Sequence, residues 1–115
     1  MNSDTIYALN QRLEAVKTAA IGYIKDVMAR AGITELNLPE IGTGDYPITH
    51  SDEEEYALAA VNVDEKGNVR FESESETMMD TSYDGEEDLP AETLVKIAEW
   101  FLKNETHIIT YSEEN

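Results

Sequence analysis

The sequence predicts an α+β fold, with a long N-terminal helix and a C-terminal helix packed on a small antiparallel β-sheet. Three observations carry this reading. Apolar residues recur every three or four positions across residues 4–31. Residues 55–76 alternate around a glycine-containing turn, as a β-hairpin does. Residues 89–104 return to helical spacing behind a proline.

In the first element, Ile6, Leu9, Leu13, Val16, Ala20, Tyr23 and Val27 form one stripe, which Ile24 and Met28 widen. Ser3 is the expected N-cap, and Asp4 suits the positive end of the helix dipole. Gly32 is expected to end the helix in the left-handed conformation, with Ile33 folding back on the last turn. So long a helix in so small a domain either packs along its own core or pairs with a second copy.

Pro39, Gly42, Gly44 and Pro47 punctuate the next segment, which reads as an irregular connection. Short extended pieces at Glu35–Leu38 and Tyr46–Thr49 are expected to line the sheet edge. In the hairpin's first arm, Tyr56, Leu58 and Ala60 point one way, and Ala57, Ala59, Val61 and Val63 the other. With both faces apolar, that arm is expected to be covered on both sides. In the second arm, Val69 and Phe71 face inward and Arg70, Glu72 and Glu74 outward, with continuation toward Glu76. Gly67 supplies the positive φ that the turn requires. Residues 77–88 read as an acidic loop, with Met78 and Met79 as its core anchors. In the second helix Leu94, Ile97, Ala98 and Phe101 share a face, and Asp88 or Leu89 is the expected N-cap. The β-branched run at 107–111 reads as an edge strand or a frayed end. The whole, 1–115, is read as a single domain.

Charge is the dominant compositional feature. The chain has a formal net charge of −17, and its middle third is the source: residues 52–88 hold fourteen acidic residues against Lys66 and Arg70. Residues 1–32 carry four basic and three acidic residues. Such a chain repels nucleic acid and anionic membranes, which are polyanions, so the favoured partner is a basic protein. The competing reading is that the acids only solubilise the surface. With no cysteine there is no thiolate chemistry and no disulfide framework. The first residues lack the basic start and apolar run of a secretory signal, and the expected location is cytoplasmic.

Catalytic patterns are absent from the sequence. His50 and His107 have no partner at a recognisable spacing, and no serine lies in a nucleophile elbow. No cofactor motif is present, since the glycines of residues 42–44 lack a phosphate-loop spacing. A non-enzymatic role is expected.

Three functional readings remain. In the first, an acidic face of Asp52, Glu53, Glu54, Glu55, Glu72, Glu74, Glu76, Glu86 and Glu87 occupies a basic groove as a nucleic-acid mimic or inhibitor. Alternate residues of a strand lie about 6–7 Å apart on one face, close to phosphate spacing along a nucleic-acid strand. The second is weak calcium binding. Asp80, Ser82, Asp84, Gly85 and Asp88 fall in an order that resembles the EF-hand calcium loop, in which alternating oxygens wrap a hard cation around a glycine bend. The match departs at its end: the closing position holds Ala91, Glu92 comes one place late, and Pro90 interrupts. The third is self-association as a structural protein, a homodimer through Ile6, Leu9, Leu13, Val16, Ala20, Tyr23 and Val27.

Overall fold

A computed structural model describes residues 3–51, 53–77 and 79–114, the side chain of residue 114 apart. Its elements are α1 (Ser3–Ala31), β1 (Glu35–Asn37), α2 (Leu38–Ile41), β2 (Ile48–Ser51), β3 (Glu55–Val63), β4 (Val69–Ser75), β5 (Asp80–Asp84), α3 (Ala91–Lys103) and α4 (Glu105–Glu114). The α+β fold class is therefore as the sequence predicts.

All strand pairs are antiparallel. The sheet runs β1-β3-β4-β5, with β2 pairing the same edge of β3 as β1. β2 takes the beginning of β3 (Ser51 opposite Glu55) and β1 its end (Glu35 opposite Asn62). The two extended pieces expected at the sheet edge are thus both present. The β3–β4 turn is closed by Asp64, whose Oδ1 accepts the amides of Lys66 and Asn68 at 2.9 Å. Gly67 sits at φ +83°, as this turn requires.

β4 alternates strictly, with Val69, Phe71, Ser73 and Ser75 buried and Arg70, Glu72 and Glu74 exposed. β3 does not. A register shift between Leu58 and Ala60 leaves Ala59 as the extra residue, so the buried positions are Leu58 and Val61, three apart. The bulge flips the strand's phase, and the sequence alternation of β3 splits differently from its simple two-sided reading. Nor is β3 covered on both sides. Leu58, Val61, Val69 and Phe71 share one core with Ile24, Val27, Met28, Leu94, Ile97, Phe101 and Ile108 from the helices. The residues on the other side of the sheet remain exposed or half-buried.

The end of α1 follows its prediction. Gly32 is left-handed (φ +72°), the Gly32 amide reaches the Ala29 carbonyl and the Ile33 amide the Met28 carbonyl, both at 3.0 Å. The burial of α1 is uneven, though. Ala20, Ile21, Ile24, Val27 and Met28 are buried, whereas Ile6, Leu9, Leu13 and Val16 stand in solvent.

Five further expectations fail. Residues 80–84 are a strand rather than loop, because Thr81 and Tyr83 can face the core side opposite Ser73 and Phe71 while Asp80, Ser82 and Asp84 face out. The tail is a helix rather than an edge strand. The chain turns at Asn104, whose side-chain amide donates to the Trp100 carbonyl at 2.9 Å, and α4 then drives Ile108 fully into the core. Burial of one isoleucine and anchoring of Glu105 override the β preference of the run. Finally, the N-cap of α3 is Pro90, with no side-chain cap, because Asp88 is engaged with the backbone of Asp84. Ser3 is already helical, and Met79 is exposed rather than an anchor. Met78 lies outside the described residues.

Candidate functional site

The uncovered side of the sheet is the candidate interaction surface. Residues directly opposite one another in antiparallel strands share a face, so the register defines its rows. One row is Glu35, Asn62, Arg70 and Asp84. The next is Asn37, Ala60, Glu72 and Ser82. The third is Ile48, Ala57, Glu74 and Asp80. The centre holds small side chains, Ala57 and Ala60, and the flanks hold carboxylates. Strands lie about 4.8 Å apart and alternate residues about 6–7 Å apart, so Glu74 neighbours Glu72 and Asp80 at close to phosphate spacing, while Glu35 and Asp84 stand apart from them.

Arg70 is the single cation within these rows, and its Nη2 donates to the Ser82 hydroxyl at 3.1 Å. Glu74 lies directly opposite Asp80. Like charges so placed oppose folding. Glu53, Glu54, Glu55 and Glu76 surround a concavity of about 550 Å³ at the end of the sheet where β4 finishes, and Glu54 accepts the Thr77 amide at 3.3 Å. The strand itself ends at Ser75, one residue before Glu76.

The structure thus gathers Glu72 and Glu74 on the open face and places Glu53, Glu54, Glu55 and Glu76 at one end of it. Glu86 and Glu87 lie at the opposite end of β4, lining a depression with Lys25 and Lys66. There, cations offset part of the charge. Asp52 lies outside the described residues. Sequence reasoning missed Glu35 on this face, and it assigned Asp80 and Asp84 to a cation loop. Glu35 arrives from a three-residue strand far away in sequence, which carries no periodicity of its own.

The calcium-like residues are not arranged as a loop. Asp80, Ser82 and Asp84 project in a row along β5 rather than converging. Asp84 Oδ1 accepts the amides of Glu86 (3.0 Å) and Glu87 (3.1 Å), and Asp88 Oδ2 accepts that of Asp84 (2.6 Å). These carboxylates terminate the turn after β5. Among the described residues, no group of three or more His, Cys, Asp or Glu is placed to hold a metal ion. Gly85 has a steric role. An added Cβ would sit 3.0 Å from the Val69 carbonyl and 3.1 Å from the Phe71 ring.

The second unusual surface is the outer part of α1. Ile6, Leu9, Leu13 and Val16 are exposed, and the stripe leads into a groove of about 480 Å³ walled by Val16, Ala19, Ala20 and Tyr23 of α1 and by Val95, Ala98 and Leu102 of α3. The predicted seven-residue stripe therefore divides. Ala20 and Val27 are buried in the chain's own core, and Tyr23 packs against that core.

Below the groove, Glu105 ties α4 to α1. The Tyr23 hydroxyl donates to its Oε2 at 2.7 Å, and Arg30 Nη1 pairs with Oε1. The Tyr23 hydrogen bond first, and Arg30 second, hold the Glu105 carboxyl below its usual range. Desolvation, and then the bond to Glu105, push the Tyr23 phenol up.

His50 and His107 are exposed, and His50 stacks edge-on against Tyr56 with ring centres 5.7 Å apart. Among the described residues, no helix is long and apolar enough to cross a membrane. No known protein-family model, curated protein or solved structure matches this chain.

Proposed function

We propose that the protein is a binding module rather than an enzyme, and that the uncovered sheet face engages a basic partner protein in place of a nucleic-acid backbone. The observation that supports this reading is the display of Glu35, Glu72, Glu74 and Asp80 on one uncovered face with a single arginine, Asp84 standing at its edge with its carboxylate held by the turn amides of Glu86 and Glu87. A rigid strand scaffold fixes their spacing before any partner arrives, which lowers the ordering cost of binding. The small side chains of Ala57 and Ala60 leave the face shallow, so long lysine and arginine side chains can lie across it. Attraction between such surfaces accelerates encounter and fades with salt.

The test is affinity capture from native lysate at low and high salt, using the wild-type chain and a Glu72→Lys/Glu74→Lys variant. The expected result is a basic protein retained by the wild type at low salt, released at high salt, displaced by duplex DNA, and not retained by the variant. Recovery of no basic protein at low salt, or equal capture by the variant, would overturn the reading.

A further inference from the structure

We infer that the exposed stripe of α1 is a two-fold interface with a second copy of this chain, formed by antiparallel pairing of the α1 helices. The inference stands on α1 and its groove and is independent of the acidic face.

The spacing Ile6, Leu9, Leu13, Val16, Ala20, Tyr23 is a heptad seam, with Ile6, Leu13 and Ala20 at a and Leu9, Val16 and Tyr23 at d. Its first four members are exposed; Ala20, 7% exposed at the edge of the core, forms the floor of the groove beside α3, and half-buried Tyr23 lines it. Antiparallel pairing sets each a position against a d position. In one register Leu13 of each copy meets Val16 of the other, Leu9 meets Ala20, and Ile6 meets Tyr23. Two-fold symmetry then generates six layers from three contacts. In this register the end of each helix reaches the groove of the other copy, where Leu102 is 64% exposed. An exposed leucine at the far wall thereby gains apolar cover.

Charge selects the occupant and the orientation. The projecting part of α1, Ser3–Ala19, carries Asp4 and Glu14 against Arg12 and Lys17, so it is balanced within a chain of net charge −17. Two copies repel each other least along this segment. In-register parallel pairing would place Arg12 at g against Lys17 at e of the other copy, a like-charge contact. The antiparallel register places Arg12 beside Ala19 and Lys17 beside Asn10 instead. The acidic sheet faces stay on the far side of each helical layer.

Ser3–Ala19 is about 25 Å long and a helix is about 10 Å wide, so the shared seam covers a footprint of roughly 250 Å² on each copy, to which the two grooves add. An interface of this size fits a monomer–dimer equilibrium rather than an obligate dimer. It also accounts for four large apolar side chains placed successively in water on one helix face.

Sedimentation equilibrium of the full chain from about 1 to about 200 µM in moderate salt tests the interface. The expected result is a monomer–dimer equilibrium with dimer predominant at the upper end. Leu9→Glu and Leu13→Glu, each at an exposed site, should weaken it about 100-fold while leaving the far-ultraviolet spectrum of the dilute chain unchanged. The chain has no cysteine. Mixing Asn10→Cys with Lys17→Cys chains should therefore yield a disulfide heterodimer on oxidation, and mixing Arg12→Cys with Lys17→Cys should not. A wild-type monomer at about 200 µM overturns the inference, as does dimerisation that both glutamate variants leave intact. Cross-linking of the Arg12→Cys and Lys17→Cys pair alone overturns the antiparallel register.

Discussion

The open sheet face and the projecting part of α1 are both uncovered, but for opposite chemical reasons. The sheet face is uncovered because its outward residues are carboxylates and other polar groups, which water solvates well, with small alanines among them. The helix is uncovered although its outward residues are Ile6, Leu9, Leu13 and Val16, which water solvates badly. The first surface attracts through charge, and salt weakens it. The second attracts through apolar burial, and salt strengthens it by screening the repulsion between two acidic bodies. Ionic strength therefore separates the two surfaces in one protein without any mutation.

The largest test of this contrast lies within α1 itself. Ile24 is fully buried and Leu13 is 51% exposed, on the same helix. Ile24→Ala should cost about 2–5 kcal/mol in urea unfolding, whereas Leu13→Ala should change the dilute chain by less than about 0.5 kcal/mol. A larger effect at Leu13 that grows with protein concentration would locate its value in the dimer. The single tryptophan, Trp100, is buried and reports both by fluorescence.

Next in size is Gly85→Ala. The new methyl group would press on the Val69 carbonyl and the Phe71 ring beneath the acidic face, at an expected cost of about 1–3 kcal/mol. Thermal melting measures it, and a neutral result would mean that the turn after β5 gives way freely.

On the open face, Glu74→Lys should remove a like-charge pair with Asp80 and stabilise the fold by about 0.2–1 kcal/mol, while weakening capture of a basic partner. Stability and binding moving in opposite directions is the signature of a surface kept acidic for a purpose. Added salt should raise the melting temperature of the wild type, because self-repulsion opposes the compact state. The rise should be smaller in Glu74→Lys.

The smallest effect is expected at the Tyr23–Glu105 contact. Glu105 titrates below its ordinary range in the folded chain, so its contribution is present above the unfolded carboxylate value and is lost as pH falls through the depressed folded value. Tyr23 titrates above its ordinary 10.0, so its contribution is present below that value and is lost as pH rises through the folded one. Tyr23→Phe should start acid unfolding at a higher pH and remove Tyr23's own share of the alkaline limb, leaving that of Tyr111, which its bond to Glu40 also raises. Melting temperature against pH checks both.

Much of the fold is legible in the sequence because local periodicity reports local geometry. The stripe of α1, its stop at Gly32 and Ile33, the hairpin about Gly67 and the face of α3 all depend on neighbours within about one turn or one strand pair. The acidic site is legible only in part. Glu72 and Glu74 follow from alternation in β4, but their neighbours Glu35, Asp80 and Asp84 come from strands whose pairing is set at a distance. The first five residues of the acidic stretch that resembles a cation loop, Asp80–Asp84, become a strand because Thr81 and Tyr83 face inward opposite Ser73 and Phe71. The tail shows the same limit. Nothing in its β-branched run announces that Ile108 completes the core.

By itself, the sequence determined the helices α1 and α3, the hairpin, the concentration of charge in the middle third and the near-neutrality of α1. These are properties of spacing and composition. Only the tertiary structure decided which half of α1 is buried, which carboxylates share a face, that Ala59 shifts the phase of β3, and that Gly85 must lack a side chain. Each of these depends on what lies across a contact. A periodic pattern states that a face exists, and the partner packed against it, or missing from it, states what the face is for.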